Sequence, residues 1–411
     1  NFGEDPTSVD YERIFYARRP ILEIAVKNFL ENQSFQADFK HFEKSNRLWL
    51  DDFAEFMAIK EHFGNQALQK WDDKKAVARD PSALEKYRTM LAEQIQYFKV
   101  TQYFFFKQWT ELKNYANQKG IQIIGDMPIY VAADSVEVWT KPELFQLDEE
   151  RNPLFVAGVP ADQFSATGQL WGNPLYAWEE HKKQGYAWWI HRIEESFKIY
   201  DVLRIDHFKG FSDYWQVDGK AEVAKDGSWQ PGPGYDLFKA VKEQLGDLPI
   251  IAEDLGNIDD KARKLLTDCN YPGMKILQFG FEDVSGESLD SPHYCIPHSI
   301  VYTGTHDNDV TNGWYNSLTE QQQQYINDYT HRHEDESICQ AMIRQLFATV
   351  SNTAIATMQD VLDLPASSRM NVPSTIGGNW QWRMQQSDLT QDKKDFLEKM
   401  TTLYQRANQE K

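Results

Sequence analysis

An apolar run that ends in a pair of ionisable residues constrains this chain most. Val202–Phe208 begins with branched aliphatic residues, which is typical of a strand buried on both faces. Side chains two apart along a strand point the same way, so Arg204 and Asp206 share one face. An arginine beside a carboxylate favours its ionised form, which a carboxylate nucleophile needs. Taken alone, the pair also fits a structural ion pair at a strand end.

The same design recurs twice further along the chain. Leu248–Asp254 and Ser299–Asp307 also begin apolar and end in acids, among them Glu253 and Asp307. Packing alone does not explain three strands that each end in a carboxylate. In a barrel of parallel strands the carboxyl ends of the strands meet on one face, and that face carries the chemistry.

Strands and helices alternate through most of the chain, which indicates a parallel α/β fold. The pattern predicts six strands, which begin near Ile121, Val202, Pro249, Met274, Ser299 and Thr353. A closed barrel of this type has eight strands. We therefore expect an α/β, TIM (β/α)8-type barrel with helical and long-loop insertions that lacks the first two strands.

The hydrophobic pattern divides the chain near residue 120. Residues 1–120 are predicted to form a mostly helical subdomain, with a helix broken or kinked at Pro20 and another that starts after the Asp80–Pro81 pair. Residues 121–411 would form the rest of the catalytic barrel. Within them, residues 131–180 lack a helical period and are expected to form a lid loop, for which an ordered surface loop is the alternative.

Composition limits the partners and the setting of the protein. A net charge of -19 repels phosphate backbones and anionic membrane surfaces, so neither nucleic acid nor a membrane is expected as a partner. The three cysteines are odd in number and form no Cys-x-x-Cys pair, which argues against disulfides and zinc and favours a cytoplasmic setting. No cofactor and no metal are expected. An aromatic content of 14% is consistent with a neutral carbohydrate substrate.

Two carboxyl groups in different protonation states are what retaining glycoside chemistry requires. Asp206, beside Arg204, suits the ionised nucleophile. Glu253 ends a strongly apolar strand, where burial favours the neutral form, so it suits the general acid and base. Asp307 would stabilise the transition state. His207 and His306 are candidate hydrogen-bond donors to the sugar.

Four motifs together resemble the amylomaltase family of 4-α-glucanotransferases, or disproportionating enzymes, which are related to the α-amylase group. They are Gly125–Val131, Leu203–Phe208, Ile251–Gly256 and Gly304–Asp309, and residues 158–174 resemble the family's active-site loop. The resemblance implies the same three catalytic roles and a maltooligosaccharide or α-1,4-glucan substrate. It further implies the substrate-binding residues Asp126, Arg204, His207, His306, Asp162, Trp171, Asn371 and Pro373. This chain has Ser374 where the family is expected to have glycine.

The start of the chain departs from the resemblance. Family members carry, ahead of the stretch that matches Asn1, a segment with two barrel strands and a substrate-contacting tyrosine. We therefore expect a truncated or cleaved chain, or one that an N-terminal fragment completes. An open barrel exposes strand edges, which favours self-association.

Three other functions fit parts of the pattern. An α-glucan hydrolase of the amylase type would use the same three carboxylates. A metal-dependent barrel hydrolase would use His306, Asp307 and Asp309 as ligands, although it lacks the further histidines that such a site prefers. An inactive, truncated glucan-binding protein would keep the site and lose turnover.

Overall fold

The computed structural model describes residues 3–32, 34, 36–161, 167–256 and 258–407. Its helices are α1 (Tyr11–Glu31), α2 (Gln36–Ser45), α3 (Arg47–His62), α4 (Lys74–Val77), α5 (Pro81–Met90), α6 (Ala92–Gln118), α7 (Val136–Thr140), α8 (Trp178–Lys183), α9 (Ala187–Ile199), α10 (Tyr235–Leu245), α11 (Asp260–Cys269), α12 (Leu277–Phe281), α13 (Thr311–Ser317), α14 (Glu320–Thr330), α15 (Ile338–Ala348), α16 (Met358–Val361) and α17 (Gln391–Leu403). None of the described helices is long and apolar enough to cross a membrane.

The strands form three sheets. They are β1 (Ile124–Met127), β2 (Phe155–Val159), β3 (Gln169–Pro174), β4 (Val202–Ile205), β5 (Asp213–Asp218), β6 (Ser228–Pro231), β7 (Ile250–Ala252), β8 (Gly273–Ile276), β9 (Ser299–Tyr302) and β10 (Thr353–Ile355). The orders are β1-β4-β7 and β10-β9-β8, both parallel, and β3-β2-β5-β6, which is antiparallel. All six predicted strands are confirmed as the members of the two parallel sheets.

The chain folds as two compact units, one of residues 18–270 and one of residues 1–17 with 271–411. In the first unit the helices pack around buried aromatic rings, including Trp71 and Trp139, neither of which is exposed. Asp80 accepts the backbone N–H groups of Ser82 and Ala83, which confirms the predicted start of α5. The predicted boundary near residue 120 stays a prediction.

Helix α1 runs unbroken through Pro20, so the break that was one of the two predicted outcomes is absent. Proline in a helix interior removes one backbone hydrogen bond, and side-chain contacts are made beside this position. The Arg19 guanidinium lies 3.7 Å from the centroid of the Tyr97 ring and pairs with Glu61 and Glu23. Packing thus overrides the local propensity.

Residues 131–180, which were expected to form a lid loop, contain regular secondary structure, and their role as a lid stays a prediction. That stretch contains α7, β2 and β3. Strand β2 pairs with β5, so that Phe155 lies opposite Asp218. Because the partner strand lies some sixty positions further along the chain, a local hydrophobic period does not indicate this pairing.

The second unit is built around β9, all four of whose residues are buried. Val301 on this strand packs against Leu277, Met342 and Leu346. The N-terminus of α15 is fixed by a capping box, in which Ser337 and Gln340 exchange hydrogen bonds. Strand β9 ends at Tyr302, just before the residues that carry the candidate chemistry.

Candidate active site

Arg204 joins two acids at the ends of neighbouring strands. Strands β1 and β4 are in register so that Asp126 lies beside Arg204. The Nη1 atom of Arg204 donates to Asp126 Oδ1 at 2.6 Å and to Asp206 Oδ1 at 3.0 Å. Burial by itself would lower the pKa of the Arg204 guanidinium, but the charges of Asp126 and Asp206 raise it on balance, so Arg204 stays cationic.

The Asp206 side chain remains accessible although its partner is buried. Its exposed fraction is 41%, whereas that of the Arg204 side chain is 9%. The Oδ1 atom of Asp206 accepts the hydrogen bond from the guanidinium, which orients the carboxylate, and the side chain remains partly exposed to solvent. This arrangement suits a nucleophile, since attack needs an ionised oxygen with free access to substrate.

Glu253 follows β7, which lies beside β4. Its carboxyl oxygens accept the backbone N–H groups of His207, at 2.8 Å, and Leu255, at 2.9 Å. Burial raises the pKa of Glu253 to about 7, and the negative charge of Asp206 acts in the same direction, against Arg204 and the two backbone donors. A carboxyl group with this pKa exchanges a proton near neutrality, as a general acid and base must.

His207 and Trp171 form an aromatic wall beside these carboxyls. The backbone of His207 is left-handed, with φ of 50°, and this turn directs its N–H at Glu253. The His207 and Trp171 rings meet edge to face at 4.8 Å. Burial lowers the pKa of His207 to about 4, so its ring is neutral at pH 7 and can donate one hydrogen bond. Trp171 is 36% exposed.

Asp307 has its own set of partners in the second unit. Its Oδ1 accepts Asn371 Nδ2 at 2.6 Å, and its backbone oxygen accepts Arg369 Nη2 at 2.6 Å. His306 Nε2 lies 3.4 Å from Asp307 Oδ2, and the His306 ring lies 5.1 Å from that of Trp380. These contacts hold the carboxylate at both oxygens and leave the Asp307 side chain 44% exposed.

Among the residues that the structure describes, one group has the ligands and spacing for a metal ion. His191, Glu194 and Glu195 lie one turn apart on α9, and Lys198 already pairs with Glu195. His306, Asp307 and Asp309 do not form such a group within the described residues. The metal-hydrolase alternative therefore has no ligand set at the place where the sequence suggested one.

A family profile decides the classification. The profile described as 4-alpha-glucanotransferase, glycoside hydrolase 77, matches residues 2–390. The chain belongs to the 4-alpha-glucanotransferase family.

Relatives of this glucanotransferase chain are similar along nearly its whole length. A 4-alpha-glucanotransferase of Streptococcus pneumoniae is 52% identical over 410 residues, which are 100% of this chain and 81% of the relative. One from Thermus thermophilus is 41% identical over 392 residues, or 93% and 78% of the two chains. A solved amylomaltase of Streptococcus agalactiae, in complex with acarbose, is 58% identical with a TM-score of 0.98, over 99% of this chain and 82% of the other. The resemblance and the α/β, TIM-barrel-type fold class are thereby confirmed.

The structure places most of the predicted site residues of this glucanotransferase chain in two groups, and their roles stay predictions. One described group contains Asp126, Arg204, Asp206, His207, Glu253 and Trp171; the other contains His306, Asp307 and Asn371. Pro373 is exposed, and Ser374 adopts φ of 64°, a conformation that favours the expected glycine. Asp162 lies outside the described residues.

Sequence analysis missed two side chains that hold the Asp307 group, Arg369 and Trp380. Arg369 donates to the backbone oxygens of Asp307 and Asn371, and the Trp380 ring lies 5.1 Å from that of His306, tilted by 41°. Arg369 stands two positions before the predicted residue Asn371, and this short spacing could have indicated that it lies near the site. Trp380 follows a pair of glycines and carries no pattern that indicates its place.

Proposed function

We propose that this chain is a retaining 4-α-glucanotransferase that transfers α-1,4-glucan segments between maltooligosaccharides. The observation that carries the proposal is the contrast between two carboxyl groups at adjacent strand ends. Asp206 is paired with a buried arginine, and Glu253 has a pKa raised to about 7. A nucleophile and a proton donor are the two parts of a double displacement.

In the first step Glu253 gives its proton to the glycosidic oxygen while Asp206 attacks the anomeric carbon. The bond between that carbon and the leaving oxygen breaks, the carbon–Oδ bond of a glycosyl-Asp206 forms, and the shortened glucan leaves as an alcohol. Arg204 donates hydrogen bonds to Asp126 and Asp206 and holds Asp206 in the attacking orientation.

In the second step the ionised Glu253 takes a proton from the 4-hydroxyl of an acceptor sugar. The acceptor oxygen then bonds to the anomeric carbon, and Asp206 leaves as a carboxylate. The two inversions restore the α configuration, and Glu253 is again protonated. A pKa near 7 serves both directions of this proton transfer.

The remaining predicted residues would bind the sugars. We assign Asp307 to the stabilisation of the oxocarbenium-like transition state, a role that the 44% exposure of its side chain supports. Asp126, His207, His306, Asn371 and Pro373 would contact sugar hydroxyls or line the site. Asp162 and Trp171 would act from the lid, where an aromatic side chain excludes water and favours an acceptor sugar over hydrolysis.

The partner expected for the protein is its glucan substrate. We further propose that another polypeptide chain covers the open side of β1. This strand pairs with β4, and no ladder on its other side is formed by the described residues. Ile121 and Ile124 beside that edge are exposed, as apolar residues at an interface would be. An N-terminal fragment or a second copy would fit there. Sedimentation over a range of concentrations tests the second copy, since an active monomer at all concentrations contradicts it.

A cytoplasmic setting completes the proposal. Cys269, Cys295 and Cys339 are all unpaired, which suits a reducing compartment.

The experiment that tests the function uses maltotriose as sole substrate. Glucose together with a ladder of longer maltooligosaccharides, without new reducing ends, is the expected result, because transfer conserves their number. Glucose and maltose with a matching rise in reducing ends would instead identify a hydrolase. Binding of maltotriose without any product would identify a glucan-binding protein.

A further inference from the structure

One arginine holds the chain segment that follows β1. Arg192, on α9, donates from Nη2 to the backbone oxygen of Pro128 at 2.6 Å and from Nη1 to that of Ile129 at 3.1 Å. The same Nη1 donates to the hydroxyl of Tyr176 at 3.1 Å, and that hydroxyl donates to Ile129 at 2.7 Å. Charge-assisted bonds from a planar guanidinium fix direction as well as distance. The segment two residues after Asp126 is thus held by one cation and one phenol.

The held segment begins a row of aromatic rings that ends at the carboxyls. The rings of Tyr176 and Tyr130 are stacked at 5.9 Å, and Tyr130 lies 6.3 Å from Trp171. Trp171 in turn meets His207 at 4.8 Å. We call Tyr176, Tyr130, Trp171 and His207 the aromatic row. Both tyrosines are buried, whereas Trp171 is the exposed member.

A second contact ties Trp171 to the same segment. Asn173, two residues along β3 from Trp171, donates from Nδ2 to the backbone oxygen of Val131 at 2.9 Å. The position of Trp171 therefore depends on residues 128–131 in two ways, through the contact of its ring with Tyr130 and through the hydrogen bond from Asn173 to Val131. A shift of that segment would move Trp171 against His207.

We propose that Arg192 and Tyr176 are positioning residues that fix the aromatic row and thereby set how the glycosyl intermediate divides between a sugar acceptor and water. The inference rests on the proposed function of Trp171. Neither residue touches the reacting atoms in this account. Loss of their hydrogen bonds releases residues 128–131, widens the gap beside Trp171, and admits water where the acceptor sugar should lie.

The test measures two rates with maltotriose, transfer from the longer products and hydrolysis from the new reducing ends. Arg192→Gln should lower the ratio of transfer to hydrolysis between about 3-fold and about 100-fold, the larger figure being what a misplacement of about 1 Å can cost. Tyr176→Phe, which removes a single hydroxyl, should lower the ratio less. Arg192→Lys keeps a cation that reaches one carbonyl and should restore part of it.

A matched control separates positioning from general stability. Arg406 also donates to three backbone oxygens, those of Phe347, Ser351 and Thr349, and none of these contacts involves the aromatic row. Arg406→Gln should lower Tm and leave the ratio unchanged. The cation–π contacts of Arg192 with Trp188 and Trp189 are a reason to expect a comparable loss of Tm in Arg192→Gln.

The outcomes separate the inference from the function on which it rests. Wild-type protein that transfers, with an unchanged ratio in both Arg192→Gln and Tyr176→Phe, overturns the inference alone. An equal fall of the ratio in Arg406→Gln also overturns it, because stability then explains the effect. Wild-type protein without transfer overturns the proposed function and this inference together.

Discussion

The ends of β4 and β7 are neighbours in one sheet, and they place a carboxyl group in opposite surroundings. After β4, Asp206 lies 3.0 Å from the Arg204 guanidinium and keeps 41% of its side chain exposed. After β7, Glu253 has no ion pair among the described residues, and burial raises its pKa to about 7. The neighbouring cation orients the Asp206 carboxylate for attack, whereas burial favours the protonated form of Glu253. Two similar groups can thus perform different chemistry in one site.

Removal of the Asp206 carboxylate should have the largest effect on activity. Asp206→Asn keeps the shape and removes the nucleophile, so kcat should fall by about 10^4-fold or more, as for other covalent catalysts. Product assays with maltotriose measure the loss. Binding of maltotriose, followed by calorimetry, should stay near the wild-type value, and a variant that retains turnover would contradict the assignment.

Removal of the Glu253 carboxyl group should cost less and change the pH profile. Glu253→Gln should lower kcat by about 10²- to 10⁴-fold, the usual share of a general acid and base. In the wild-type protein Glu253 loses its proton as the pH rises through about 7, so kcat/KM should fall on the alkaline side. The variant has no such group and should lack that limb. An alkaline limb that persists in Glu253→Gln would assign it to another residue.

A change of Arg204 that keeps its positive charge sharpens the comparison of Asp206 with Glu253. Arg204→Lys retains one positive charge but not the rigid guanidinium plane that places Nη1 between Asp126 and Asp206, so a flexible ammonium group does not hold both carboxylates in the same way. We expect kcat to fall by up to about 100-fold through misplacement of the nucleophile. Arg79→Lys, which changes another arginine with an aspartate partner, Asp52, is the matched control. Similar losses in both variants would indicate general destabilisation.

A smaller effect is expected where a neutral donor orients a carboxylate. Asn371→Ala removes the 2.6 Å bond to Asp307, and a single hydrogen bond to a charged group is worth about 1.5–3 kcal/mol, or roughly 10- to 100-fold in kcat/KM. Asn312→Ala removes a similar bond, 3.1 Å long, to Asp363 and serves as control. Equal activity of the Asn371 variant and the wild type would contradict the claim that Asn371 orients the Asp307 carboxylate for catalysis.

The smallest change in bond cleavage is expected at the lid. Trp171→Ala opens space beside His207 without touching either carboxyl, so total cleavage should change less than the ratio of transfer to hydrolysis. Counting new reducing ends against longer products gives that ratio. A ratio equal to that of wild type would contradict the role proposed for Trp171.

Sequence patterns predicted what depends on neighbours along the chain. The apolar runs that end in Asp206, Glu253 and Asp307 predicted the strands, and the spacing of two predicted the pair of Arg204 with Asp206. The contact of Arg204 with Asp126 depends on the register of β1 with β4, which local spacing does not determine.

Other parts of the site depend on groups that every residue carries. The donors to Glu253 are backbone N–H groups of His207 and Leu255, so no side-chain identity indicates them. The antiparallel sheet depends on the distant pairing of β2 with β5. Arg192 holds backbone oxygens, and its long-range role follows from tertiary packing alone.

One measurement tests the division of labour between the two carboxyls most directly. Glu253→Gln is incubated with an α-maltotriosyl fluoride, whose leaving group needs no acid, and the intact mass and the peptide masses are recorded. The account predicts a covalent maltotriosyl adduct on the peptide that carries Asp206, since attack is fast and the base for release is absent. The double variant Asp206→Asn with Glu253→Gln should show none. Fluoride release without an adduct, or an adduct on another residue, would contradict the assignment of Asp206 as the nucleophile.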